Sequence, residues 1–301
     1  MNTNEIFDLS QDQINFLLDT MTWSFSRLSS FDTCPFEWYL HYIKQWDTID
    51  SAQAQYGGFQ HKIHEMYFKN ELSLFDLAGY YEENYNDVVT ARFPNNKFVD
   101  LADSYYQTGL EYWENFGWDL SDYNILGVEK ELKFQYGGYT FTGFIDLLLQ
   151  DKKDNKLIIL DHKSSKLKFK KNGDISKTDA EHYESFKKQL YLYSHPLLEK
   201  YGADSIKALE WNLFRSNKHH RIEWKRDEYE ATMKWVLDTI EHIKSEREWG
   251  MNKELTEAQL NHKFPPFFCM NLCSVRNRCP FKNEYMDDLK MDERMESEYG
   301  L

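Results

Sequence analysis

The hydrophobic and polar positions of the chain predict helices towards both ends and a block of strands between them. An amphipathic patch that begins at Ile14 predicts a short first helix, and residues 25–43 predict two helical pieces that meet at Thr33–Cys34. Pro35 suits the first position of the second piece, because a helix start needs no amide hydrogen there. Residues 73–117 carry many aromatic side chains and predict a region that is helical throughout.

The middle of the chain changes to the pattern of strands. Residues 124–135 alternate between apolar and polar, Gly137–Gly138 predicts a tight turn, and residues 142–149 and 156–163 predict two buried strands of a three-stranded meander. A helix is predicted over 179–198, two further strands over 205–214 and 220–224, and a long amphipathic helix over 227–249. This order of elements predicts a mixed α/β (α+β) core with helical additions.

Charged residues interrupt the two buried strands, where an unpaired charge is costly. The first strand contains Asp146, and the second ends in Asp161, His162 and Lys163. Because side chains alternate along a strand, Asp161 and Lys163 share a face and His162 points away from it. If the strands pair as a hairpin, two carboxylates and an ammonium meet at one end of the sheet. This combination suits a divalent metal and a metal-activated water.

Composition indicates a globular protein, with 41% hydrophobic and 17% aromatic residues among 301. No run approaches the roughly 18 apolar residues of a membrane span, so we expect a cytoplasmic protein without membrane contact. The net charge of −14 does not suit a nucleic-acid binder. Positive charge is nevertheless concentrated at residues 163–171, at 215–226 and at 276–282, although most charge runs are simply solvated faces.

The four cysteines form one pattern, with Cys34 alone and Cys269, Cys273 and Cys279 close together. So few cysteines in a cytoplasmic protein favour metal ligation over disulfides. Both zinc and an iron–sulfur (4Fe-4S) cluster accept four thiolates. Zinc sites usually use two short cysteine pairs, whereas here one cluster has a distant partner, which favours iron and sulfur. Either cofactor would join the two ends of the chain as a structural staple.

Taken in order, these motifs resemble the PD-(D/E)xK nuclease superfamily. They are most similar to its RecB-like branch with an iron–sulfur staple, which includes the AddB nuclease domain and the CRISPR-associated exonucleases. The matching segments are Ser26–Leu28 with Cys34–Pro35, Gly57–His61 with Glu65, Gly143–Asp146, Asp161–Lys163, Gln189–Tyr193 and the last three cysteines. One departure is that three residues separate Cys269 from Cys273, where two are more usual.

The resemblance implies a restriction-endonuclease-like core, a mixed central sheet flanked by helices. It implies one nuclease domain over residues 1–301. Within that domain, residues 66–120 would be a helical insertion, 121–225 the catalytic core sheet and 265–285 the cysteine segment that closes on Cys34.

The resemblance also implies roles for individual residues. His61, Asp146 and Asp161 would bind Mg²⁺ or Mn²⁺ with help from the backbone carbonyl of His162, and Lys163 would orient or deprotonate the attacking water. Gln189 and Tyr193 would position that lysine or contact DNA. From the concentration of positive charge, and not from the resemblance, we expect Lys166, Lys168, Arg215 and Lys218 to bind DNA phosphates.

The function implied is a metal-dependent exonuclease for single-stranded DNA or duplex ends, in recombination, repair, or phage or CRISPR DNA processing. No P-loop is apparent, so any unwinding would come from a partner such as a helicase or a recombination or CRISPR protein. The alternative is a non-catalytic module that binds DNA ends or a partner, but such a module has no need of Asp146, Asp161 and Lys163 together. A site-specific endonuclease is less favoured because no helix-turn-helix is apparent. Polarity and oligomeric state stay open.

Overall fold

The computed structural model describes residues 9–96, 98–170, 174–247, 249 and 268–279. Its chain divides into two units. Unit 1 consists of residues 1–20, 30–51 and 244–301, and unit 2 consists of residues 21–29 and 52–243.

Eight α-helices lie in the described ranges. They are α1 Gln11–Asp19, α2 Phe25–Thr33, α3 Pro35–Trp38, α4 Ala52–Phe68, α5 Leu77–Val88, α6 Leu101–Glu114, α7 Ala180–Tyr201 and α8 Arg226–Ser245. Short π-helical turns occupy Tyr39–Ile43 and Phe268–Leu272, and short 3₁₀ turns occupy Leu74–Asp76 and Phe214–Ser216. None of the helices in the described part of the chain is long and apolar enough to cross a membrane.

Six strands form one mixed sheet in unit 2. They are β1 Thr22–Trp23, β2 Tyr123–Tyr136, β3 Tyr139–Asp151, β4 Leu157–Lys163, β5 Ile206–Leu213 and β6 Lys218–Glu223. The order is β1-β3-β4-β5-β6, and β2 also pairs with β3. The meander β2-β3-β4 is antiparallel, whereas β4 and β5 are parallel and are connected through α7. The mixed α/β fold predicted from the sequence is confirmed.

A fork in the sheet separates β3 from β4. The two strands pair only from Leu147 to Gln150 of β3, and β1 pairs with β3 at Thr140 and Phe141. Residues 142–146 therefore have no paired strand on this edge of β3 in the part of the sheet that the structure describes. The carboxylate of Asp146 instead accepts the backbone N–H of His162 at 2.6 Å. A side chain thus satisfies a backbone group that a longer hairpin would have paired.

Helices α4, α5 and α6 build an aromatic core on one face of the sheet in unit 2. Strand residues such as Leu147, Leu149, Ile158 and Leu160 contribute to this core, as the period of two along each strand requires. The helical members include Tyr56, Phe59, Ile63, Tyr81, Tyr112 and Trp113. Helix α7 packs against β2, β3, β4 and β5.

The prediction of continuous helix over 73–117 is wrong between α5 and α6. Residues 89–96 and 98–100 are not helical, and three local interactions account for the break. Pro94 disfavours helical backbone at the residue before it. The Gln55 side chain accepts the N–H groups of Thr90 and Ala91. Asp100 caps α6 by accepting the N–H groups of Ala102 and Asp103. The predicted helix over 227–249 also ends early, at Ser245.

In unit 1, α2 and α3 meet at Cys34, as the sequence predicts. Cys34 caps α3, and its sulfur accepts the N–H of Glu37 at 3.4 Å. Trp38 stacks on Trp249 with ring centroids 5.5 Å apart. The Glu37 carboxylate accepts both the N–H and the hydroxyl of Ser274 at 2.7 Å, and Ser274 O accepts the N–H of Ile49 at 2.9 Å. These bonds hold the segment 268–279 on the N-terminal part of the unit.

Candidate active site

Three metal-ligating side chains converge where the sheet forks. His61 extends from α4, Glu129 from β2 and Asp146 from β3. The Nδ1 atom of His61 lies 3.4 Å from Asp146 Oδ2 and 3.9 Å from Glu129 Oε1. Among the described residues, this is the one group of three or more such side chains whose ligand atoms all lie within 4.8 Å of one another. Mixed nitrogen and carboxylate donors suit a divalent ion.

Glu129 is the member of this group that our sequence analysis missed. The signal was present in the hairpin, because the two-residue turn Gly137–Gly138 pairs Tyr136 with Tyr139. Counting seven residues back along β2 and seven forward along β3 places Glu129 opposite Asp146. The backbone of Glu129 has φ +48°, a left-handed conformation that non-glycine residues seldom adopt. Such strain often marks a functional position.

Asp161 and Lys163 lie together on the other side of the fork. Lys163 Nζ is 2.8 Å from Asp161 Oδ2, and it donates a hydrogen bond to Gln189 Oε1 at 2.7 Å. Asp161 is only 3% exposed, and its Oδ2 pairs with the ammonium of Lys163 outside hydrogen-bond geometry. A buried carboxylate is costly unless it is paired, so the lysine helps Asp161 to remain buried.

Helix α7 supplies both residues of the predicted Gln-x-x-x-Tyr motif. Gln189 holds Lys163, and Tyr193 lies beside Asp146 and Asp161. The tyrosine ring packs over Gly143 of β3, where an added Cβ would come within 2.5 Å of Tyr193 Cε1. Only glycine therefore allows this approach of helix and strand. Burial holds the pKa of Tyr193 well above its usual range, so its hydroxyl stays protonated at neutral pH.

The imidazole of His162 points away from Asp161 and Lys163, as strand alternation predicts. It stacks on His64 with ring centroids 3.8 Å apart, and its Nδ1 lies 2.9 Å from Asn212 Nδ2. The same amide lies 2.9 Å from Tyr112 OH, whose oxygen is 2.8 Å from His64 Nε2. Burial lowers the pKa of both histidines, so this network beneath the site is neutral.

The charges in the cleft influence one another strongly. Desolvation lowers the pKa of His61, but Asp146 and Glu129 more than offset this effect and raise it to about 9. Burial raises the pKa of Asp146 to about 7. Without a metal, the histidine therefore holds a proton at neutral pH and acts as the counter-ion of the carboxylates.

An open cleft of about 580 Å³ leads to these groups. Its walls are α4, Glu129 of β2 and the segment that ends β4. Its lining consists of Gln53, Ala54, Gly57, Gly58, His61, Lys62, Glu65, Glu129, His162, Lys163, Ser164 and Ser165. Glu65, which the resemblance groups with His61, forms ion pairs with Lys62 and Lys69 at 3.0 and 2.5 Å.

The four residues predicted to bind phosphate do not line this cleft. Lys166, Lys168 and Lys218 are exposed. Arg215 is only partly exposed, and its guanidinium lies 3.6 Å from the centre of the Tyr105 ring. The structure thus brings together the predicted metal ligands and Lys163. The predicted phosphate-binding Arg215 instead lies against the aromatic ring of Tyr105.

All four cysteines are thiols that lie in one region of unit 1. Cys269 and Cys279 are close enough to Cys34 to act on its ionisation, and Cys34 and Cys279 act in the same way on Cys273. Burial raises the pKa of Cys34 to about 12 and that of Cys269 to about 11. The chain therefore brings Cys34 together with three cysteines that are distant from it in sequence, and burial favours the thiol form of Cys34, Cys269 and Cys273.

Comparison with known proteins places this geometry in a family. No curated protein sequence matches the chain. A crystal structure from Eubacterium rectale, described as a "Putative exonuclease", is 12% identical, with 81% of this chain and 86% of that one covered and a TM-score of 0.44. The family model described as the PD-(D/E)XK nuclease superfamily matches residues 22–280. The protein is therefore a member of the PD-(D/E)XK nuclease superfamily.

Proposed function

We propose that this nuclease is a metal-dependent deoxyribonuclease that acts as an exonuclease on single-stranded DNA or duplex ends. The observation that carries the proposal is the fork between β3 and β4. Asp146, Asp161, Lys163, His61 and Glu129 are gathered there. Three of them, His61, Glu129 and Lys163, also line an open cleft. A structural role would not require two buried carboxylates beside each other, because their desolvation is costly.

The donor set fits Mg²⁺ or Mn²⁺. These ions prefer carboxylate oxygens, Mn²⁺ also accepts imidazole, and Asp161 Oδ2 pairs with Lys163 outside hydrogen-bond geometry. His61, Asp146 and Asp161 would hold the ion, with Glu129 as a further ligand and the His162 carbonyl assisting. When bound, such an ion lowers the pKa of a water molecule and offsets charge on the phosphoryl oxygens.

The remaining residues of the site would orient the reacting groups. Gln189 accepts a hydrogen bond from Lys163, which fixes the ammonium beside Asp161 with its other hydrogens available to a water or a phosphoryl oxygen. Because its ammonium lies beside Asp161, where charge develops in the reaction, we assign Lys163 to orientation and charge stabilisation. Tyr193 keeps the helix that carries Gln189 against Gly143.

We also propose that the cysteines of unit 1 hold an iron–sulfur cluster, with zinc as the competing cofactor. All four thiols lie in one region of unit 1, and either cofactor accepts four thiolates. Because one cysteine is distant from a cluster of three, whereas zinc sites usually use two short pairs, we favour iron and sulfur. Absorption of anaerobically purified protein near roughly 400 nm would support it, and a colourless protein with stoichiometric zinc would contradict it.

The test of the nuclease proposal uses two single-stranded DNA substrates, an end-labelled linear strand and an internally labelled circle. Each is incubated with Mg²⁺, with Mn²⁺ or with EDTA. The matched variant is Asp161→Asn, which keeps the shape of the side chain and removes its charge. We expect metal-dependent loss of the linear strand only, and none with the variant. Cleavage of the circle would indicate an endonuclease. Retention of DNA without cleavage under all conditions would favour the binding module. Duplex DNA would distinguish action at ends from dependence on an unwinding partner.

A further inference from the structure

Two consecutive glycines lie in the interior of α4, one turn before His61. The helix runs from Ala52 to Phe68, and Gly57 and Gly58 are at its sixth and seventh positions. Glycine inside a helix destabilises it relative to alanine, because it has more backbone freedom to lose on folding. Neither residue has a positive φ, so the backbone conformation does not require glycine. Another property must explain each of them.

Packing does not require glycine at either position. A Cβ added at Gly57 would lie 3.4 Å from Ser164 Oγ, which is an ordinary van der Waals contact. A Cβ added at Gly58 would meet no atom within 4 Å. By contrast, Gly109 of α6 faces Tyr81, whose hydroxyl a Cβ would overlap. Among these three helical glycines, packing therefore requires glycine only at position 109, and Gly58 faces the most open space.

The open space at Gly58 is the cleft that also contains His61 and Lys163. Helix α4 presents Gln53, Ala54, Gly57 and Gly58 to this cleft ahead of His61, so in the turn next to the histidine its wall is almost bare main chain. The opposite face of the helix is buried by large side chains such as Tyr56 and Phe59. Two members of the metal-suited group, His61 and Glu129, also line this cleft, which indicates independently that it receives a ligand.

We propose that Gly58 is a positioning residue that lets the sugar–phosphate backbone of a polynucleotide strand run along α4 in van der Waals contact with the helix main chain. The inference rests on the proposed nuclease function and adds the path of the substrate. A side chain at position 58 lifts the strand away from His61 and Lys163, and a displacement of about 1 Å can cost about 100-fold in rate. A small phosphodiester reaches the same groups without following the helix.

The experiment compares Gly58→Ala and Gly58→Leu with Gly79→Ala in the full chain. Gly79 lies in α5, where an added Cβ also meets nothing within 4 Å, and it does not line the cleft. Each variant is assayed with Mn²⁺ on single-stranded DNA and on bis(p-nitrophenyl) phosphate. We expect both alanine variants to raise the Tm, by about 2–4 °C. Only the Gly58 variants should lower kcat/KM for DNA, with a loss of about 100-fold for the leucine, while cleavage of the small ester is unchanged.

Two results would overturn the inference. One is wild-type kinetics of Gly58→Leu on DNA, and the other is an equal loss on DNA and on the small ester, which would indicate a damaged site. If the wild type cleaves neither substrate, the nuclease proposal fails. The proposed path of the strand along α4 is then tested by measuring the binding of single-stranded DNA. Unchanged affinity of Gly58→Leu would then refute the path along α4, and weaker affinity than that of Gly79→Ala would support it.

Discussion

The chain contains two sets of metal-suited side chains that differ in chemistry and in construction. The cleft of unit 2 offers carboxylates and an imidazole, and neighbouring strands bring Glu129 and Asp146 together. The cysteine region of unit 1 offers thiols, and it joins Cys34 to a segment more than 200 residues later. Sheet geometry positions the first set, whereas a few hydrogen bonds and, in our proposal, a cofactor position the second.

This difference separates the roles that we assign to the two sets. The cleft exists without a metal because the hairpin register, the fork and the packing of Tyr193 on Gly143 place its residues. Its metal should therefore matter for chemistry and little for folding. The thiols bring together distant segments, so the cofactor there should contribute free energy of folding directly. Four predictions can break or sharpen this contrast.

The largest effect should follow from loss of a cysteine ligand. Cys273 is only 6% exposed, and Cys273→Ser should remove the roughly 400 nm absorption and most of the cofactor binding energy, which is on the order of 10 kcal/mol for structural metal sites. We expect a separate low-temperature unfolding transition in calorimetry. Met270→Leu, in the π-helical turn that ends just before Cys273, is the control. A variant with the Tm and the spectrum of the wild type would disprove a stabilising cofactor in unit 1.

The second effect concerns catalysis without loss of fold. Lys163→Met should lower kcat for DNA cleavage by about 1,000-fold, because the ammonium beside Asp161 is removed from the site of developing charge. The matched control is Lys166→Met, an exposed lysine three residues later. Time courses of cleavage of labelled DNA give kcat for both variants. Similar losses in the two variants would mean that general positive charge, and not position, is responsible.

Much of the cleft could be predicted from the sequence because its construction is local. Alternation along two apolar strands placed Asp161 and Lys163 on one face and His162 on the other, as the structure has them. The resemblance added His61 and Gln189, which lie beside these residues. Glu129 was missed although the glycine turn fixes its register, since its strand was interpreted only as alternating apolar and polar positions.

Other features depend on interactions that no local pattern contains. The break between α5 and α6 uses the Gln55 side chain, which is 35 residues from Thr90. The buried contact of His64 and His162 with Asn212 joins three separate elements. The position of Arg215 over Tyr105 likewise follows from packing, so an arginine predicted to bind phosphate from its charge alone was found against a ring.

The third prediction tests Glu129 as a ligand in the cleft. Glu129→Gln should weaken Mn²⁺ binding by about 10–100-fold, a range typical when a supporting group of a metal site is lost. Glu131→Gln is the matched control, because this residue lies two positions along β2 and pairs with Lys133 in an exposed position. Calorimetric titration with Mn²⁺ gives both affinities. Equal affinities of the two variants would remove Glu129 from the metal site and leave its left-handed backbone without a role.

The smallest effect is a pH dependence with opposite signs for binding and for stability. The pKa of His61 is raised from 6.5 to about 9, so at pH 8 the metal must displace its proton, and Mn²⁺ affinity should rise by at most about tenfold per pH unit up to pH 9. Asp146, with its pKa near 7, is already mostly ionised at pH 8. Titrations in buffers of different ionisation enthalpy should show about one proton released at pH 8 and almost none at pH 10.

The same raised pKa makes the metal-free protein bind more protons folded than unfolded. The stabilisation from charged His61 is therefore complete below pH 6.5 and is lost as pH rises through 9, while metal affinity increases over the same window. His61→Gln should abolish the pH dependence of both quantities above pH 8. If proton release at pH 8 persists in that variant, a group other than His61 loses its proton when the metal binds.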